Sequence, residues 1–194
     1  WKERKKLLKD FGLNIYRPKR PGAFWVRTTG LGSYREVGRA CHLVTTNESK
    51  IMIDVGVNIA NDSDPMPNFT APEALPMEKM DAVILTHAHL DHAGMLPVLF
   101  RYGYRGPVFC TPPTRDMMLL LQSDYLKIGG TEGKRAPYDM EDIRTCMRHV
   151  VDVEWGQTVD ITPDVKMTFH NAGHILGSSS VHLHVGDGKH NIVF

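Results

Sequence analysis

One short segment constrains this chain more than any other. Residues 86–92, THAHLDH, follow directly on the apolar run 82–85, which is the pattern of a buried strand that opens into a loop. Three imidazoles and a carboxylate lie within six residues. Without a metal ion several of these polar groups would be left unsatisfied, and imidazole with carboxylate suits zinc and its first-row neighbours. The segment therefore predicts a metal site at the end of a strand.

The spacing of these residues indicates two ions. His87 and His89 are two residues apart in an extended segment, so their side chains point the same way and can share one ion. Asp91 and His92 stand where a helix would begin, and they turn toward a second position close by. The HExxH pattern of helical zinc proteases is absent from the sequence.

A single ion held by two histidines is under-coordinated, so a third ligand is expected from another strand end. His174 meets this requirement because it joins two predicted strands and has small residues on both sides, in 171–178, NAGHILGS. The remaining histidines are predicted to be structural. They are His42, His149, His170, His182, His184 and His190, with His182 and His184 the first candidates for an exception because they lie near the His174 loop.

The rest of the chain predicts one α/β domain. Its 194 residues are 42% hydrophobic, enough for one sizeable core. The absence of a long apolar run and of paired cysteines predicts a soluble, cytoplasmic protein without a membrane segment or a disulfide framework. The pattern predicts helices at 1–13, 114–128 and 139–150, strands at 24–29, 40–45, 50–55, 81–86, 165–170, 181–185 and 191–194, and a long loop at 58–77.

The first residues differ in charge from the rest. Residues 1–20 carry eight Lys and Arg against two Asp and Glu, whereas the remainder has a net charge of −5. Two prolines and a glycine at 17–22 end any helix, so residues 1–22 are predicted to be a basic helix and linker that packs weakly on a domain at 23–194. Because Phe194 stands inside an apolar run, we expect the chain to continue in a longer protein.

These motifs resemble a known family. The segments IDVG at 53–56, HAHLDH at 87–92 and AGHILGS at 172–178 look like motifs of the metallo-β-lactamase fold in its nucleic-acid-processing branch, the β-CASP family. GSYREVGRAC at 32–41, residues 102–110 and PTRD at 113–116 are similar to cleavage and polyadenylation specificity factor nucleases. The archaeal type, in which KH domains precede the nuclease, fits best, and the basic helix would then end the KH region.

The resemblance implies an α/β fold, the N-terminal half of the metallo-β-lactamase αββα sandwich, truncated before the β-CASP insertion. By motif, one zinc would be held by His87, His89 and His174, and the other by Asp91 and His92, with Asp91 also taking a proton in catalysis. Asp54 would orient the ligands. The family's bridging Asp and its β-CASP histidines would lie beyond residue 194, so the complete site would hold two zinc ions and this fragment one or none.

The resemblance implies a zinc-dependent RNA endonuclease, with 5′ exonuclease activity as a further option, in RNA 3′-end processing, transcription termination or decay. Its partners would be RNA and, in the full-length protein, a second copy. One alternative is another metallo-β-lactamase-fold hydrolase acting on DNA, a thioester or a lactone, which the segments at 32–41 and 113–116 argue against. The other is a non-catalytic RNA-binding subunit, which would typically have lost metal ligands.

Overall fold

The computed structural model describes residues 1–61, 63–131 and 136–194, and in it two β-sheets face each other while helices cover one of them. The helices are α1 (Lys2–Ile15), α2 (Leu90–Ala93), α3 (Leu96–Arg101), α4 (Pro112–Thr131) and α5 (Met140–His149), with a 3-10 turn at Met77–Lys79. The strands are β1 (Val26–Gly32), β2 (Cys41–Thr46), β3 (Lys50–Ile53), β4 (Ala82–Ile84), β5 (Val108–Cys110), β6 (Val150–Asp152), β7 (Thr158–Thr162), β8 (Val165–Asn171), β9 (Ser179–Val185) and β10 (His190–Val193).

The first sheet has the strand order β1-β2-β3-β4-β5-β6, and the second has the order β10-β9-β8-β7. Alternate residues of the first sheet serve two cores. Leu43, Met52 and Val83 face the core under α3, α4 and α5. Ile51, Ile84 and their neighbours face the second sheet, where they pack against Phe169, Leu183 and other residues of β8 and β9. The chain therefore forms a helix–sheet–sheet arrangement, and the predicted α/β sandwich is confirmed.

The first sheet contains both antiparallel and parallel pairs of strands. The second sheet is antiparallel throughout, but β3, β4, β5 and β6 pair in parallel. Helices α2 and α3 connect β4 to β5, and helices α4 and α5 connect β5 to β6, whereas segment 54–81, with its 3-10 turn, connects β3 to β4. Strands β5 and β6, with three residues each, and β7 were not predicted, because such short runs carry little periodicity.

The prediction that the N-terminal segment, residues 1–22, packs weakly on the domain is wrong. Phe11 of α1 is buried, with its ring 5.7 Å from that of His149. The Arg4 guanidinium donates to the carbonyl of Val150 at 2.6 Å and to that of Arg148, and Arg17 pairs with Asp81 at 3.0 Å. Basic side chains thus satisfy carbonyls at the end of α5 as well as facing solvent.

The predicted loop 58–77 is irregular up to the 3-10 turn, and its residue 62 lies outside the described residues. The three cysteines are buried and free. Among the described ranges, every helix is too short or too polar to cross a bilayer.

Candidate metal centre

The histidine-rich loop begins where β4 leaves the first sheet and ends in α2. Backbone hydrogen bonds attach it to the neighbouring segment 54–57: Val55 N donates to the carbonyl of His92 at 2.7 Å, and Val57 N donates to that of Leu90 at 2.9 Å. The carbonyl of Asp91 accepts from Ala40 N at 2.8 Å. The loop is therefore held by main-chain atoms, independently of its side chains.

Gly56 makes this attachment possible. A Cβ atom at this position would lie 1.6 Å from the carbonyl oxygen of Asp91. The glycine in the 53–56 motif is thus needed for the close approach of two backbones, which places the loop beside Asp54.

A second loop, between β8 and β9, brings His174 to the same place. The Ser178 hydroxyl accepts from the backbone N of His174 and of Ile175, both at 3.1 Å. Ser179 N donates to the carbonyl of Thr86 at 2.8 Å, which ties this loop to the end of β4. The Thr111 hydroxyl donates to the carbonyl of Gly177 at 2.7 Å, so the segment before α4 supports the loop from outside.

His87, His89 and His174 come together as the sequence predicts. Their ligand atoms lie within 4.8 Å of one another, and each pair of rings has its centroids 4.9 or 5.0 Å apart. Nδ1 of His89 is 3.2 Å from Nε2 of His174. Two nitrogens bound tetrahedrally to one zinc ion at its usual bond length are separated by about 3.3 Å. Three imidazoles at these distances could hold a metal ion.

Asp54 is placed to orient two of the ligands. Its side chain is buried, and it accepts hydrogen bonds from His92 Nδ1 at 2.7 Å and from the backbone N and hydroxyl of Thr86, both at 2.8 Å. Because the Thr86 hydroxyl donates to Asp54, it accepts from His87 Nδ1, which is 2.9 Å away. Both histidines are thus protonated at Nδ1 and keep Nε2 free, the arrangement expected of metal-bound imidazoles.

Asp91 and His92 form a separate pair. Oδ2 of Asp91 lies 3.7 Å from Nε2 of His92, and the ring of His92 is 4.1 Å from that of His87. Asp91 and His92 do not belong to the three-ligand cluster found among the described residues. They stand beside it, on the side where the sequence predicts the second ion.

The two sides of the centre differ in proton affinity. Burial, with the nearby positive charges of protonated histidines, lowers the pKa of His87 to about 4 despite Asp54. Burial also acts to lower the pKa of His92, but the hydrogen bond and charge of Asp54 and the charge of Asp91 outweigh it and raise that pKa. At neutral pH His87 is therefore a neutral imidazole, with its proton on Nδ1 and its Nε2 available to a metal ion.

The cavity over the centre, of about 330 Å³, includes residues that the motifs did not single out. His42 was predicted to be structural, yet it lines this cavity with its ring 5.4 Å from that of Phe194. The signal that could have identified it is its position at the start of a strand next to Asp54's strand. Glu36 and Arg39 pair with each other at 2.5 Å beside segment 54–57. A larger cleft, about 950 Å³, lies between α1 and the first sheet and is lined by none of the predicted metal ligands.

Comparison with known proteins agrees with this geometry. A family model described as a metallo-beta-lactamase superfamily domain matches residues 43–194. This chain belongs to the metallo-β-lactamase superfamily. The superfamily resemblance drawn from the sequence motifs is thereby confirmed, and membership supports a metal-dependent hydrolase.

Curated archaeal proteins share about half of their residues with this chain over nearly its whole length. Transcription termination factor FttA of Methanosarcina mazei is 52% identical over 193 residues, which cover 100% of this chain and 30% of that protein. The protein of the same name in Methanocaldococcus jannaschii is 50% identical and covers 99% of this chain. This metallo-β-lactamase-superfamily chain therefore spans about 30% of the length of these relatives.

Solved structures show the same fold. A Cronobacter sakazakii metallo-beta-lactamase, a mutant of its HARLDQ motif, superposes with a TM-score of 0.58 at 22% identity, over 91% of this chain and 64% of that one. Rm3 metallo-beta-lactamase superposes with a TM-score of 0.53 at 21% identity, over 86% of this chain and 56% of that one. At this identity the likeness supports the architecture alone.

Proposed function

We propose that the protein containing this superfamily domain is a zinc-dependent RNA endonuclease that hydrolyses phosphodiesters. A 5′ exonuclease activity is a further option. The cleavage would take place during RNA 3′-end processing, transcription termination or decay. The observation that carries the proposal is the pairing of a three-histidine cluster with Asp91 and His92 around one buried carboxylate, Asp54. The archaeal relatives named for transcription termination support RNA as the substrate and the cytoplasm as the location.

Each side chain has a distinct part. His87, His89 and His174 would hold one zinc ion, and Asp91 with His92 would hold the other. When bound, zinc supplies Lewis acidity toward the phosphate and lowers the pKa of water. Asp54 holds Nδ1 of His92 directly and Nδ1 of His87 through Thr86, which would leave the Nε2 atom of each ring free to bind an ion. The Asp91 carboxylate, which is partly exposed, is available to accept the proton of the attacking water.

The N-terminal helix would add affinity for RNA. Lys2, Lys5, Lys6 and Lys9 are exposed on α1, whereas Arg4 is engaged with carbonyls of the domain. Exposed lysines attract phosphates in a salt-dependent way regardless of sequence. Residues 1–22 would thus connect a preceding KH-type region to the domain at 23–194, and a homodimer of the whole protein is part of the same proposal.

The test is cleavage by the full-length protein of RNA, DNA and small esters, with His89→Ala, Asp91→Asn and the matched control His190→Ala. We expect cleavage of RNA, its loss in the first two variants, and its retention in the control, because His190 lies on β10 outside the cluster. Cleavage of esters or DNA without RNA would favour another metallo-β-lactamase-fold hydrolase. RNA binding without cleavage by the zinc-loaded protein would favour the non-catalytic subunit.

A further inference from the structure

A second group of histidines lies on the outer face of the second sheet. Strand β9 alternates strictly: Val181, Leu183 and Val185 are buried against the first sheet, so His182 and His184 point to the opposite face. Both side chains are partly exposed there, and His170 on the neighbouring strand β8 is exposed.

The imidazoles are close enough to act together. The ring centroids of His182 and His184 are 4.0 Å apart, and those of His170 and His182 are 5.9 Å apart. Two histidines separated by one residue on a strand have parallel side chains, so one ion can reach a nitrogen of each without any change in the backbone.

The hydrogen bonds of the two rings engage Nε2 of each, and Asn191 contacts both rings. Nε2 of His182 is 2.9 Å from Oδ1 of Asn191, and Nε2 of His184 is 3.1 Å from the hydroxyl of Thr168. An amide oxygen only accepts, so Nε2 of His182 carries the proton. The Thr168 hydroxyl is also 2.8 Å from that of Thr158, to which it can donate while accepting from His184. Nδ1 of His182 is then unprotonated, and Nδ1 of His184 is unprotonated when its Nε2 donates to Thr168, so each ring can offer Nδ1 to a metal ion while Nε2 is held as in metal-bound histidines.

The surroundings of His184 favour its neutral form. Desolvation and the neighbouring charges of His182, His170 and Lys166 lower the pKa of His184, and together they outweigh a hydrogen bond with Asn191 that acts to raise it. Lys166 lies directly opposite His184 in the β8–β9 pairing, and Asn191 lies opposite it on β10. Neutral imidazoles bind a metal ion without first losing a proton.

We propose that His182 and His184 form a binding site for a divalent transition-metal ion that prefers imidazole, of the class Cu²⁺, Ni²⁺ and Zn²⁺, separate from the centre at His87. The three-ligand cluster at His87 does not include them. His170 would become a third ligand by rotation of its exposed side chain, and water would complete the coordination. By the general affinity order for nitrogen sites, Cu²⁺ should bind most tightly.

The experiment uses the full-length protein carrying His89→Ala, so that the other centre is impaired, stripped with a chelator and titrated with Cu²⁺. We expect this protein to bind one Cu²⁺ per chain more than the same protein without His182 and His184. The electron paramagnetic resonance spectrum of that ion should show coupling to imidazole nitrogen. Adding His182→Asn and His184→Asn should weaken this binding by about 10- to 100-fold or more. That is the loss seen when a residue that only hydrogen-bonds to a metal ligand is replaced, and here the ligands themselves are replaced. His190→Asn is the matched control and should leave it unchanged.

A second measurement does not depend on a folded double variant. In the protein with only His89→Ala, Cu²⁺ should broaden the nuclear magnetic resonance signals of Thr168, His182, His184 and Asn191 before those of the turn Gly186–Gly188. Cu²⁺ binding that survives the double substitution, or broadening confined to the loop at 87–92, would overturn the proposal.

Discussion

Nδ1 of His92 donates a hydrogen bond to the carboxylate of Asp54 across 2.7 Å, and this contact joins two segments that are 38 residues apart in sequence. Asp54 holds its carboxylate there with a left-handed backbone, φ 58°, a conformation that Asp tolerates better than most residues. The same carboxylate reaches His87 through Thr86. One buried acid therefore sets the ring orientation of a residue from each of the two predicted ligand sets.

We predict that Asp54→Ala lowers the zinc affinity of the protein by about 10- to 100-fold, because the rings of His87 and His92 lose the acceptor that orients them. Competition with a chromophoric chelator measures the effect. Thr86→Val should lower the affinity less, since it removes only the link to His87. Asp187→Asn, at an exposed turn, is the control, and an equal loss in that variant would contradict the prediction.

Gly56→Ala should destabilise the protein by about 3 kcal/mol or more, because the new methyl group meets a backbone oxygen that cannot move alone. Denaturant unfolding followed by circular dichroism measures the change. Gly130→Ala is matched to it, since nothing lies within 4 Å of a Cβ there and the residue is helical. That variant should be neutral or more stable by about 0.5–1 kcal/mol. Equal stability of the two variants would exclude the close approach.

The metal-free protein should lose stability as the pH falls from 7 toward 4. His87 has a pKa of about 4 when folded against an ordinary value of 6.5, so the unfolded chain binds more protons in this range and acid favours it. His149, whose pKa burial lowers, acts in the same direction. His92 acts oppositely: its pKa is raised, so its contribution is present at low pH and is lost as the pH rises through the folded pKa.

Two variants separate these contributions in urea unfolding at several pH values. His87→Asn should flatten the loss of stability in acid, and His92→Asn should steepen it. A pH dependence that neither variant alters would show that other groups are responsible.

The 194-residue chain by itself should retain at most one zinc ion per molecule after dialysis and should not cleave RNA. The three-histidine set provides three ligands, whereas Asp91 and His92 provide only two protein ligands for a second ion. His89→Ala should remove the retained zinc, and Asp91→Asn should leave it bound. Two tightly held zinc ions, or RNA cleavage that His89→Ala abolishes, would contradict this prediction.

Replacing Lys2, Lys5, Lys6 and Lys9 with Gln should weaken RNA binding of the full-length protein to a similar degree for all RNA sequences and reduce its salt dependence. Arg4→Gln should act differently, because it removes hydrogen bonds to carbonyls at Arg148 and Val150 and should lower thermal stability. Fluorescence anisotropy at two salt concentrations and thermal unfolding distinguish the two effects. Unchanged affinity at low salt would refute the role of the lysines.

The clustering of His87, His89 and His174 was predictable because the chemistry of these residues is local. Three histidines and an aspartate at 87–92 can hardly be a packed core, and strand alternation already pairs His87 with His89. His174 was predictable because a metal requires a third ligand at a strand end. The main helices and most strands followed from apolar periodicity for the same reason, since that signal is contained within each element.

Only the tertiary structure decided how segments that are distant in the sequence contact each other. The sequence contains no local signal for the parallel pairing of β3 to β6, because long connections separate these strands and no tight turn joins them. The contacts of Arg4 and Arg17 depend on which carbonyls and carboxylates the fold presents to them, so a basic segment predicted to be loose is docked. The place of His42 on the cavity wall also depends on the tertiary structure, because His174 and Phe194, which line the same cavity, lie far from it in the chain. The hydrogen bonds of His182 and His184 join consecutive strands instead, and they depend on the register of β8, β9 and β10.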